Sequence, residues 1–139
     1  MDDKVRSALF KRAAKEGYAR KLGIKLVEIK PGYAVVEMAP QKDDTNILET
    51  VHGGAIFSLI DEAFQVSGNS HGTLAVALSV NIVYHNPAKV GEILRAESKE
   101  THLTPKTGTY EIKVINEHGL LIASCVALSY RKKERLPFL

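Results

Sequence analysis

The chain has a single cysteine, Cys125, among its 139 residues. That excludes an intramolecular disulfide and argues against a structural zinc site. Its setting, Ile122-Ala123-Ser124-Cys125-Val126-Ala127, reads as that of a small core residue. No apolar run approaches the roughly 20 residues that span a bilayer. Met1-Asp2-Asp3-Lys4 lacks the apolar core of a secretory signal, so the expectation is a cytoplasmic protein without membrane contact. Charge of one sign is scarce as well, the formal net charge being +3. The densest basic cluster is Arg131-Lys132-Lys133-Glu134-Arg135. No aromatic residues are interleaved with it for bases to stack on, so nucleic acid is not an expected partner. Its simplest reading is the solvated end of a last strand. Repeats, low-complexity segments and linkers are also missing, which leaves residues 1–139 as one domain large enough for a real core.

What is present is concentrated between Thr45 and Gly72. Val51-His52-Gly53-Gly54 opens a segment, residues 52–70, with the pattern of a helix apolar nearly all round. Ala55, Ile56, Phe57, Leu59, Ile60, Ala63, Phe64 and Val66 cover most of its circumference. Such a helix belongs inside a protein. Asp61 and Glu62 nevertheless stand in its middle, where a buried carboxylate must find partners or hold its proton. Ser58, Asp61, Gln65 and Asn69 recur at intervals of three or four, a polar stripe suited to lining a cavity. The helix start offers free backbone amides and a partial positive charge. Gly53 and Gly54 would let an acyl group approach that backbone closely. Each feature has a plainer reading: a close-packed helix start, a capping His52, and a buried Asp61 paired with lysine or backbone.

Around this helix the pattern is mostly that of sheet. Lys4 to Glu16 places Val5, Ala8, Leu9 and Ala13 on one stripe and predicts an amphipathic helix stopped by Gly17, within a helical extension of residues 1–19. Strands are predicted at Leu22–Ile29 and Tyr33–Met38, around a Pro31-Gly32 turn. Gln41 to Thr50 reads as irregular. Further strands follow at Leu74–Tyr84, Glu92–His102, Gly108–Asn116 and Leu120–Tyr130, with His118-Gly119 as a tight hairpin. The total is an α+β architecture of about six mostly antiparallel strands wrapped around one long helix.

These residues resemble the PaaI-type hotdog-fold acyl-CoA thioesterase family. The likeness is carried by Asn46, His52-Gly53-Gly54, Phe57, Asp61, Ala63-Phe64 and Asn69-Ser70-His71-Gly72. It continues through Ile82-Val83-Tyr84, Pro87-Ala88, Gly91-Glu92, Thr107-Gly108 and Tyr130-Arg131. It covers residues 20–132 or so. It implies the hotdog fold, assembly into homodimers and often homotetramers, and hydrolysis of acyl-CoA thioesters with no metal and no cofactor beyond the coenzyme A of the substrate. The same match assigns the Gly53 amide to stabilising the oxyanion and Asp61 to the catalytic carboxylate, as nucleophile or as general base. Asn46 would position water or thioester, and His52 would order the turn or contact substrate.

Some positions depart from relatives. Where certain relatives carry a hydroxyl on the strand after the helix, this chain has Ala77. Ser79 or Asn81, two and four residues on, is expected on the same strand face as a substitute. Gln65 stands where the hydroxybenzoyl-CoA branch has threonine, so the acyl group stays open. Lys106, Arg131 and Lys132 suit the phosphates of CoA and equally read as solvated strand ends. Two other functions remain in view. A hotdog hydratase would need a proline-rich His loop, which is missing. A non-catalytic acyl-CoA sensor would usually carry an effector domain, for which the residues before the first strand are too few.

Gly53 and Asp61 are eight residues apart on one helix, hence about 12 Å at 1.5 Å per residue. One carbonyl cannot easily reach both. A two-fold dimer with antiparallel central helices would set Gly53 of one subunit beside Asp61 of the other.

Overall fold

A computed structural model describes residues 1–139. The elements are α1 (Asp3–Lys15), α2 (Gly17–Leu22), β1 (Lys25–Lys30), β2 (Tyr33–Met38), α3 (Gly53–Asn69), β3 (Thr73–Tyr84), β4 (Leu94–Leu103), β5 (Thr107–Asn116) and β6 (Leu121–Arg135). A single 3-10 turn, Lys42–Asp44, lies in the segment before α3. The six strands form one sheet in the order β1-β2-β4-β5-β6-β3, and every pairing is antiparallel. Helix α3 packs against all six strands. The expected helix wrapped in sheet is the architecture found.

The central helix forms here for local reasons. His52 is its N-cap, extended in backbone, and its Nδ1 accepts from Gly54 N–H at 2.8 Å. Ile56, Leu59, Ile60, Ala63 and Phe64 are buried against the sheet, and Phe64 meets the Tyr110 ring at 5.4 Å between centroids. The helix is not apolar all round: Ser58, Asp61 and Gln65 face the side the sheet leaves open. Its far end is tied down by polar bonds. Ser67 Oγ and Ser98 Oγ lie 2.7 Å apart, and Ser70 Oγ accepts from Gly32 N–H at 2.7 Å. Asn69 bridges helix and strand: its Nδ2 donates to Gln65 O and Ala75 O, and its Oδ1 accepts from Ala75 N–H.

The N-terminal segment differs from expectation. Gly17 does not end a helix but begins a second one, and the stop is Gly23, in the left-handed region at φ 68°. The chain breaks at Glu16, whose backbone is extended. The reason is tertiary: the break turns Ala19 and Leu22 into the main core, while Val5 and Leu9 of α1 join Ile29, Val66 and Leu136 in a smaller second core. The helical extension therefore reaches residue 22 and the first strand starts at Lys25 rather than Leu22. At the other end, the basic run continues β6 as far as Arg135, which pairs with Thr73.

Strand β3 is an edge, bonded to β6 only. Val76, Leu78, Val83 and Tyr84 along it are all more than 40% exposed. A long apolar edge is a surface that proteins normally cover. The strand also carries a bulge between Ala77 and Ser79. Ala77 lies opposite the buried Ser129, yet Val80 and Ile82 lie opposite Ala127 and Cys125, so the inward parity changes from odd to even. Ser79 and Asn81 consequently face away from α3, not onto the face of Ala77. The extra residue at Leu78 corrects the expectation drawn from simple alternation.

Asn69→Ala should remove the two bonds that join α3 to β3, with a third inside α3, and take the Asn69 partners from the buried Ala75 backbone. A loss of about 2–4 kcal/mol is expected from the denaturant midpoint. A loss below about 0.5 kcal/mol would show that the bridge does not hold these elements together.

Candidate active site

At the start of α3 the backbone amides are unequally used. Gly54 N–H is taken by His52 Nδ1, and Ala55 and Ile56 N–H reach His52 O at 2.9 and 3.2 Å. Gly53 N–H has no partner within the protein. It stands at the positive end of a 17-residue helix, where an oxyanion would be stabilised. The geometry of His52 also fixes its ring: Nδ1 accepts, so the neutral ring carries its proton on Nε2. Gly54 is exposed and its amide is occupied.

Tyr84 was not singled out for a role from sequence, and it closes one side of this turn. Its hydroxyl donates to Gly53 O at 2.9 Å. A Cβ on Gly53 would lie 3.3 Å from the Tyr84 ring, close enough that the ring would have to give by a few tenths of an ångström. In the sequence it stands only as part of the Ile82-Val83-Tyr84 match, with no role attached. Asn46 forms the opposite wall. Its Oδ1 accepts from Leu48 and Thr50 N–H, and its Nδ2 donates to Thr50 Oγ1 at 3.0 Å. Asn46, Gly53, Ile56, Tyr84 and His85 share a cavity of about 340 Å³.

Asp61 lies elsewhere. With Phe64, Gln65, Gly68, Ala77 and Ser129 it lines a separate cavity of about 200 Å³. The two cavities have no lining residue in common. Burial raises the Asp61 carboxyl above its ordinary range, and the negative charge of Glu16 adds to this. Its neighbour Glu62 is nearly fully buried and is pushed up to about 8. Burial is the largest cause, followed by a side-chain hydrogen bond to Glu16 and the charges of Glu16 and Asp61. Gln65 Nε2 donates to Glu16 Oε2 at 3.0 Å, so the break between α1 and α2 is fastened over the central helix beside Asp61. Glu16 gave no local signal, because its partners lie more than 45 residues away.

The remaining candidates are placed as follows. Ser79 and Asn81 are exposed on the outer face of β3 and do not line the Asp61 cavity. Arg131 is committed to the β4–β5 turn: Nη1 donates to Thr104 O at 2.9 Å, and its N–H donates to Lys106 O at 2.7 Å. Lys106 itself is exposed, so a cation stands at that corner. Burial pushes the Cys125 thiol up to about 11, which suits a core residue and not a nucleophile. No group of three His, Cys, Asp or Glu side chains is arranged to hold a metal ion, and no helix is long and apolar enough to cross a membrane.

Glu62 supplies a pH-dependent test. Its folded value is raised, so the folded state keeps a proton that the unfolded chain has already lost above about pH 5. That contribution is complete below the unfolded value and is lost as pH rises through about 8. Glu62→Gln retains a donor for Glu16 and cannot ionise. Its melting temperature should gain on the native protein progressively from pH 5 to pH 8 and level off above that. An unchanged gap between pH 5 and pH 9 would contradict the assignment.

Comparison with known proteins places the chain in a family. A family model described as "Thioesterase superfamily" matches residues 48–123. A putative esterase of Archaeoglobus fulgidus is 46% identical over 116 residues, covering 84% of this chain and 75% of that protein. Acyl-coenzyme A thioesterase PaaI of Escherichia coli is 34% identical over 113 residues, 81% of each chain. The solved structure of the E. coli PaaI protein superposes with a TM-score of 0.91, at 30% identity, over 95% of this chain and 96% of that one. A PaaI structure from Thermus thermophilus gives a TM-score of 0.80 at 34% identity, over 84% and 99%. With a family model matched over more than half its length and such relatives across most of it, the chain belongs to the thioesterase superfamily and has the hotdog fold.

Proposed function

We propose that this thioester hydrolase cleaves acyl-CoA to free acid and CoA at a site assembled from two copies of the chain. The observation that carries the proposal is the separation of the two reactive elements into different cavities. An unpartnered Gly53 amide ends one, and a half-buried carboxylate, Asp61, lines the other. Each is half of what acyl transfer requires: a donor about 3 Å from the developing oxyanion and a base or nucleophile about 3–3.5 Å from the carbonyl carbon. Pairing the exposed apolar edges of β3 across a two-fold axis would continue the sheet and bring α3 antiparallel to its copy. Ile47 and Leu48, 98% and 76% exposed beside Asn46, would be covered in the same step.

In that arrangement Gly53 N–H polarises the thioester carbonyl of a substrate whose carbon faces Asp61 of the partner subunit. Asn46 holds the loop that borders the carbonyl, and His52, with Nδ1 spent on the cap, offers Nε2–H outward. Asp61 attacks directly or removes a proton from water; its raised pKa brings a carboxylate closer to the basicity that proton removal needs. Amide and carboxylate suffice for this chemistry without a metal. Lys106, exposed at the β4–β5 turn that Arg131 braces, offers charge for the CoA phosphates, and two dimers would pair into a tetramer.

Asp61→Asn preserves shape and removes the base or nucleophile. Turnover of an acyl-CoA, read by release of thiol, should fall at least about a hundredfold, with much smaller change in substrate affinity. Near-native turnover in a folded variant would sink the mechanism.

A further inference from the structure

The Asp61 cavity is small. At about 200 Å³ it falls short of the roughly 300–1,000 Å³ of ligand sites, which is room for a reacting carbonyl and little beyond it. It adjoins a larger groove of about 550 Å³. Gln65, Asn69 and Ala75 line both, so the two spaces meet along one wall. The groove runs beneath the N-terminal helices and the C-terminal turn. Leu9 and Ala13 of α1, Val66 of α3, Leu74 of β3, and Leu136 and Phe138 give it an apolar floor, while Arg12, Lys15 and Glu16 line it as well.

The outer wall of this groove is held by identifiable bonds. Glu16 fastens the α1–α2 break to α3 through Gln65 and Glu62. Val5 and Leu9 anchor α1 on Val66 and Leu136. Arg12 lies over the Phe138 ring at 5.6 Å, joining the two ends of the chain across the groove. Gln65 and Asn69 stand at the junction with the Asp61 cavity, their polar groups tied to Glu16, Gln65 O and Ala75.

We propose that this groove is the acyl subsite, and that it takes an apolar acyl group of medium length whose tail passes from Asp61 under α1. The inference rests on Asp61 as the reaction centre. It adds that the N-terminal helices choose the substrate: the acyl group is bounded by Ala13 on one side and Val66 on the other, so bulk at Ala13 shortens it. Each methylene drawn into the groove strengthens binding by roughly threefold to fourfold.

The test uses the full-length Asp61→Asn protein as a non-turning-over binder, titrated with saturated acyl-CoAs from acetyl to octanoyl. Affinity should climb with chain length by that factor per methylene beyond butanoyl. Ala13→Leu and Ala13→Phe, added to the same protein, should lower the octanoyl-to-acetyl affinity ratio, the phenylalanine by at least tenfold and the leucine by less. The leucine variant answers the question if the larger side chain prevents folding. A ratio unchanged by either substitution, or an affinity flat with chain length, overturns the subsite. The native protein is run on the same ladder for thiol release. Hydrolysis of none of these thioesters, with the binding ladder intact, overturns the thioesterase reading and leaves the groove as an acyl site.

Discussion

One rigid helix carries both the free amide of Gly53, at its first residue, and the Asp61 carboxylate, two turns later. An α-helix does not bend to bring such groups together, and about 12 Å of rise separates them. The rest of the structure can be read as a response to that constraint. The sheet buries α3 on the side where Ile56, Leu59, Ile60 and Ala63 lie, and leaves open the stripe that carries Ser58, Asp61 and Gln65. The edge strand β3 runs beside that stripe with its outer edge unpaired and apolar side chains exposed. In the proposed dimer a second copy supplies what the first one cannot reach.

Burial governs the chemistry as much as it governs the fold. Asp61 is partly desolvated, which favours its proton-bound form and makes the ionised form more basic. Glu62, next to it and deeper, would be a costly charge, and it avoids that cost by keeping its proton and bonding to Glu16. The negative charge of Glu16 also acts on Asp61 from the N-terminal segment. Glu16 thus both fastens the α1–α2 break to α3 and acts electrostatically on Asp61.

The elements most legible in the sequence were those set by local chemistry. His52 ahead of Gly53-Gly54 marked the start of α3 within one residue because a cap acts on its own first turn. Strands β2 to β5 were legible from turn residues and alternation, to within two residues at each end. What escaped was decided at a distance or by a single inserted residue. Nothing in Lys15-Glu16-Gly17 says that α2 begins at Gly17, because Ala19 and Leu22 turn inward to meet a core built from other strands. The bulge at Leu78 has no glycine to announce it, and it carried Ser79 and Asn81 to the outer face. Of the candidate site, Asn46, His52 and Gly53 lie together as expected, and Asp61 and Gln65 lie together. Tyr84 and Glu16 needed the folded chain to be seen beside them.

The most direct measurement of the shared site is complementation between two inactive proteins. Asn46→Ala and Asp61→Asn place their defects in different halves, so each homodimer has two broken sites. Unfolding the pair together and refolding at equal amounts gives mixed dimers in which one site contains both native residues. Under random pairing about a quarter of native activity should return. A refolded mixture that is dimeric and well folded, yet as inactive as its components, would contradict a site built by two subunits.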